Sequence, residues 1–171
     1  MAFMQWLQSW WLTHWVDESP WAYPFLLTAH GLGMAVVVGL TAMTAVRILG
    51  FPAKVPLGAY DGTKTWLFWA FIVNFLSGLA LFIHDAVALT TNISFQIKVV
   101  SLIIGVVVLV RMYSKVVTPA SKAEQAAAAT GTPVAYTLPR SAKAYAVAAI
   151  AIWWLSVIVS GRLVAYLAAA V

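Results

Sequence analysis

Four ionisable residues stand inside otherwise apolar stretches of this sequence: His30, His84, Lys98 and Arg162. Ionisable side chains are costly within a bilayer, so each is a functional hypothesis by default. With the helical rise of about 1.5 Å per residue, His30 maps roughly 10–13 Å below the outer surface and Arg162 about 13 Å. Lys98 maps about 6 Å deep and His84 about 5–8 Å on the same scale. All four gather in the outer half, and the inner half carries no comparable charge.

Two histidines on different helices at similar depth can hold haem iron between them, because imidazole is a strong axial ligand. His30 and His84 are the expected iron ligands, and Lys98 and Arg162 the expected partners of the propionates, Arg162 through its bidentate fork. Gly31, Gly33 and Gly78 would let a flat macrocycle approach the backbone. Each residue also admits a plainer role. His30 would hydrogen-bond across helices to Ser or Thr, His84 would sit at headgroup level, and Lys98 and Arg162 would snorkel to outer phosphates. His14, beside Trp10, Trp11 and Trp15, is a third candidate, either covering a cofactor or quinone entrance or simply solvated. Met34, one turn from His30, would pair with it as a weak copper site, although the methionines form no clustered Cu(I) path.

Composition sets the elements that must position these groups. Of the 171 residues, 63% are hydrophobic and 9% charged, with mean hydropathy +0.92, against roughly 45–50% and 25% in soluble domains. An integral membrane protein is expected and a soluble enzyme excluded. Cys is absent, which removes disulfides, thiolate metal sites, iron–sulfur clusters and cysteine nucleophiles. The net charge of +5 does not form a stripe, so no nucleic-acid partner is expected. Gly31-Leu32-Gly33 lacks the rest of a dinucleotide motif, and the five acids are too scattered for a hydrolytic site.

Apolar runs predict one all-α membrane domain over 1–171, a four-helix bundle spanning at about 22–47, 65–89, 94–114 and 144–170. The short Thr90 to Ile93 connection makes the second and third spans an antiparallel hairpin. The segment 116–143, rich in Ala, Thr and Pro, is expected to be a mobile cytoplasmic loop. Residues 3–16, with Trp6, Trp10, Trp11 and Trp15, are too short and polar to span and lack the basic start of a signal peptide. They read as an amphipathic helix lying in the interface. Arg47, Lys54 and Lys64 flank the first loop, and Arg111, Lys115, Lys122, Arg140 and Lys143 the third, so both face the cytoplasm and both termini face outward.

Short stretches of the chain resemble a family of small bacterial inner-membrane proteins of unknown function, itself loosely similar to the copper-resistance D membrane family. The likeness rests on His30-Gly31-Leu32-Gly33, Arg47-Ile48-Leu49-Gly50, Phe95-Gln96-Ile97-Lys98 and Gly161-Arg162-Leu163-Val164-Ala165-Tyr166. The resemblance implies a bacterial inner membrane and a four-helix core, and it points to His30, Lys98 and Arg162. It keeps copper movement open as a role, but no copper ligands are carried over, since Met is scarce and Cys absent.

Three functions follow as expectations. The first is a haem b subunit passing electrons between a periplasmic partner and the quinone pool, docking partners through an outward face at Trp10, Trp11 and Asp85. The second is a binding or transport protein for copper or another small solute. The third is an accessory subunit whose polar residues meet lipid headgroups and neighbouring chains.

Overall fold

The computed structural model describes residues 2–156 and Leu163. Among them the regular elements are helical, with no strand. Two short helices, α1 (Ala2–Gln8) and α2 (Trp11–Glu18), precede the long α3 (Ala22–Leu49). A 3-10 turn (Leu57–Gly62) leads into α4 (Thr63–His84), followed by the short α5 (Ala86–Thr91) and α6 (Ile93–Met112). A π-helical turn (Tyr113–Val117) carries α6 into α7 (Thr118–Thr130), and α8 (Ala142–Trp154) completes the described bundle.

Among the described residues three stretches are long and apolar enough to cross a membrane: Ala22–Leu49, Leu57–His84 and Ile93–Thr130. α8 is apolar but shorter within the described residues, and the remainder of the expected fourth span lies outside them.

Local chemistry explains where these helices start and stop. Pro24 falls in the first turn of α3, where a missing N–H breaks no intrahelical bond. At the other end Gly50 adopts φ 117°, and the Phe51 N–H returns to the Val46 carbonyl at 3.1 Å, a Schellman closure. Asn92 caps α6, its side-chain oxygen accepting from the Ser94 and Phe95 N–H groups at 2.9 and 3.3 Å, which satisfies donors that a helix start leaves free.

Helix α3 packs on α4 and α8, and α8 packs on α6. Small residues allow the close approach that membrane helices use. A Cβ added at Gly33 would lie 2.8 Å from both the Ala70 carbonyl oxygen and the Asn74 nitrogen, so the α3 and α4 backbones nearly touch there. On α8, Ala142, Ala146 and Ala149 are fully buried and seat that helix between α3 and α6. The main buried cluster lies toward the Tyr113 end, with Ile48, Met112 and Val116 at its centre.

Three segments differ from the sequence expectation. The N-terminal stretch is two helices, broken where the Ser9 hydroxyl bonds the Trp6 carbonyl at 2.7 Å, a local competition with the helical ladder. α4 stops at His84, because Asp85 leaves helical geometry at φ −116°, ψ 33°. The expected loop at 116–143 is helical as far as Thr130. Its alanine run favours helix, and the Glu124 carboxylate accepts the Gly58 N–H at 3.0 and 3.1 Å, docking α7 on the 3-10 turn.

Candidate functional site

His30 lies a little over two turns into α3, and α4 and α6 bring Asn74, Ser77, Gly78 and Lys98 around it. The ring Nδ1 is 2.9 Å from the Asn74 backbone carbonyl oxygen. A carbonyl only accepts, so Nδ1 carries the proton and donates. The Asn74 side chain answers by donating from Nδ2 to the His30 backbone carbonyl at 2.8 Å. Asn74 Nδ2 is also 3.3 Å from Nδ1, but both nitrogens hold protons and this contact is no hydrogen bond.

With Nδ1 protonated, Nε2 keeps its lone pair, and Lys98 Nζ stands 3.3 Å from it. The ammonium therefore donates to the imidazole. Ser77 is held by its own helix, donating to the Val73 carbonyl at 2.6 Å, with its oxygen 3.5 Å from Nδ1. Gly78 is where the ring rests: an added Cβ would lie 2.8 Å from His30 Cε1. Asn74 and Ser77 are buried, while His30 and Lys98 are half-buried.

No acidic side chain neutralises Lys98. The sequence has five acidic residues, all of them described. Asp61 pairs with Lys64 at 2.8 Å and accepts the Thr118 hydroxyl at 2.8 Å. Glu124 is on the Gly58 N–H, and Asp17 and Asp85 flank His84. Glu18 is exposed at the end of α2. The Lys98 ammonium is thus a cation among apolar helices whose described neighbour is a neutral imidazole.

His84 belongs to a different constellation. Its Nε2 is 3.0 Å from Asp17 Oδ1. Nδ1 is 3.2 Å from Asp85 Oδ2, yet without hydrogen-bond geometry, since that nitrogen is left unpartnered. Its backbone carbonyl accepts from Gln8 Nε2 at 2.9 Å. His84 thereby fastens α1 and α2 to the end of α4. Six residues separate it from Gly78, about 9 Å along the axis and a rotation of about 240°, so the ring nitrogens of His30 and His84 have no described partner in common.

Of the three glycines expected to admit a macrocycle, Gly33 is met by the α4 backbone and Gly78 by the His30 ring, while Gly31 has nothing within 4 Å. Among the described residues no three His, Asp or Glu side chains gather into a metal-holding group. His14 is exposed on α2, and Arg162 lies outside the described residues.

A second polar cluster at the opposite end escaped the sequence reading. The Tyr113 hydroxyl lies 3.0 Å from Thr44 Oγ1 and 2.6 Å from Thr63 Oγ1. Both threonines also donate to backbone carbonyls, Thr44 to Leu40 at 2.8 Å and Thr63 to Tyr60 at 2.7 Å. The signal available was the lone tyrosine beside Met112 at the end of a long apolar run.

No protein-family model, curated protein or solved structure matches the chain.

Proposed function

We propose that the chain is an integral membrane protein of the bacterial inner membrane that binds an anionic ligand at Lys98, with His30 as its neighbour in the outward half. The unmatched Lys98 cation carries this reading. An ionisable residue inside a span is costly, and such residues are found paired or facing a polar path. Every acid of the sequence is engaged elsewhere or exposed, so the counter-charge comes from outside the chain's own side chains. The basic loops that face the cytoplasm under the positive-inside rule leave the His30 and Lys98 end outward.

The test is thermal unfolding of the detergent-solubilised protein, followed by tryptophan fluorescence, with carboxylates from acetate to decanoate and with phosphate at constant ionic strength. A ligand that binds only the folded state raises the midpoint with concentration. Stabilisation by at least one anion, lost in Lys98→Gln, is the expected result. No Lys98-dependent stabilisation by any of them rejects the reading.

A haem b electron-transfer subunit is the second reading, favoured by one observation: the His30 Nδ1–H is fixed on a backbone carbonyl, which leaves Nε2 as the ligating nitrogen. The bis-histidine form does not fit the described residues, since His84 is committed to α1 and α2 and protein fills the space at Gly33 and Gly78. A reduced-minus-oxidised spectrum with a pyridine haemochrome assay decides it, through a stoichiometric haem b signal that is lost in His30→Ala.

A further inference from the structure

Resting on the reading of Lys98 as an anion site, we infer that the anion is the headgroup of an acyl-chain amphiphile, a carboxylate or phosphate reaching Lys98 sideways between α4 and α6. Three relationships on the bundle point there.

The route from the end of the bundle is covered. Phe82, one turn beyond Gly78, stacks on Phe95, one turn before Lys98, with ring centroids 5.3 Å apart and planes at 8°. Beyond that pair α1 packs on α5, and α2 packs on α3 and α4. Gln8 and Asp17 hold this cap to His84. A soluble ion coming from the water at that end meets the aromatic pair before it meets the ammonium.

Among the described residues the flank is open and apolar. α3 packs on α4 and α8, and α8 on α6, whereas α4 and α6 share no comparable packed interface. On the sides of α4 and α6 that carry Phe82 and Phe95, Phe75, Leu79 and Val99 are exposed, a surface suited to acyl chains and not to water. Lys98 itself is half-buried and reachable.

The depth and donor count suit a headgroup. Lys98 is five residues into α6, about 8 Å from its start, where headgroups give way to acyl chains. Of the three ammonium protons one goes to His30 Nε2, which leaves two for the oxygens of a single carboxylate or phosphate.

The experiment is native mass spectrometry of the full chain released from phosphatidylcholine nanodiscs doped with phosphatidic acid or with oleate. Parallel samples in pure phosphatidylcholine receive inorganic phosphate or acetate. Wild type is expected to retain one anionic amphiphile, Lys98→Arg to keep it, and Lys98→Gln to lose it by about tenfold, the scale of a charge-assisted hydrogen bond. Phe95→Ala, which opens the end route, should leave amphiphile retention unchanged. If inorganic phosphate or acetate binds in a Lys98-dependent way and the amphiphiles do not, the inference falls while the anion site stands. If nothing binds, both fall. Should Lys98→Gln fail to fold, competition between amphiphile and soluble phosphate on wild type decides, and preference for the soluble ion overturns the inference.

Discussion

His30 and Asn74 clasp each other across two helices: each side chain bonds the other's backbone carbonyl, at 2.9 Å from the histidine and 2.8 Å from the asparagine. Four polar groups are satisfied at once without water, and the imidazole is held in one tautomer facing Lys98. Removing one arm tests the clasp. Asn74→Ala is expected to destabilise the bundle by about 1 kcal/mol, within the range for interhelical hydrogen bonds in membranes. The same substitution should weaken anion stabilisation, because the backbone carbonyl that holds the ring remains but its helix is less firmly placed. Unfolding in mixed detergent micelles measures the first effect and anion titration the second.

The glycines give an ordered series. Gly33→Ala drives a methyl into α4 backbone and Gly78→Ala into the His30 ring, each at 2.8 Å, whereas alanine at Gly31 or Gly39 meets nothing within 4 Å. Backbone cannot yield as a ring can, so Gly33→Ala should cost the most, about 1–3 kcal/mol or more. Gly78→Ala should cost less but release the ring and abolish anion dependence. Gly31→Ala and Gly39→Ala should be neutral or stabilising by up to about 1 kcal/mol. A reversed order in unfolding midpoints would contradict the packing described.

His84 separates a fastening role from a ligand role. His84→Ala removes the 3.0 Å contact to Asp17, and hydrogen exchange over 2–18 is expected to quicken. Global stability should change by about 1 kcal/mol or less, as for exposed ion pairs. Anion stabilisation at Lys98 should persist; its loss would join His84 to the His30 site.

At the far end, the Tyr113, Thr44 and Thr63 hydroxyls have three protons for four short contacts. Because both threonines can bond nearby backbone carbonyls, Tyr113→Phe should cost only about 1 kcal/mol. A loss of several kcal/mol on unfolding would mean that the tyrosine hydroxyl organises more than these contacts.

The helices themselves were legible in the residues. Apolar length marked the long helices near 22–47, 65–89 and 94–114, and the Asn92 cap and Gly50 stop follow from short-range chemistry that any local reading contains. The alanine run of 126–129 was also there to be read as helix, but the neighbouring Pro and Thr made a loop the stronger expectation. Pro119 sits in the first turn of α7, where proline is tolerated.

Within the candidate site, His30 and Lys98 stood out as ionisable groups in apolar runs, and Gly78 as a small residue between them. That His30 meets Asn74 and Lys98, while His84 turns to Asp17 and Asp85, was decided by tertiary structure. In these spans the faces turned inward and outward are almost equally apolar, so hydropathy fixes how far a residue lies along its helix and leaves the rotation about the axis undetermined. Rotation is set where Gly33 lets α4 backbone press against α3 and Gly78 leaves room for one imidazole, contacts between residues more than thirty-five positions apart that no local pattern encodes.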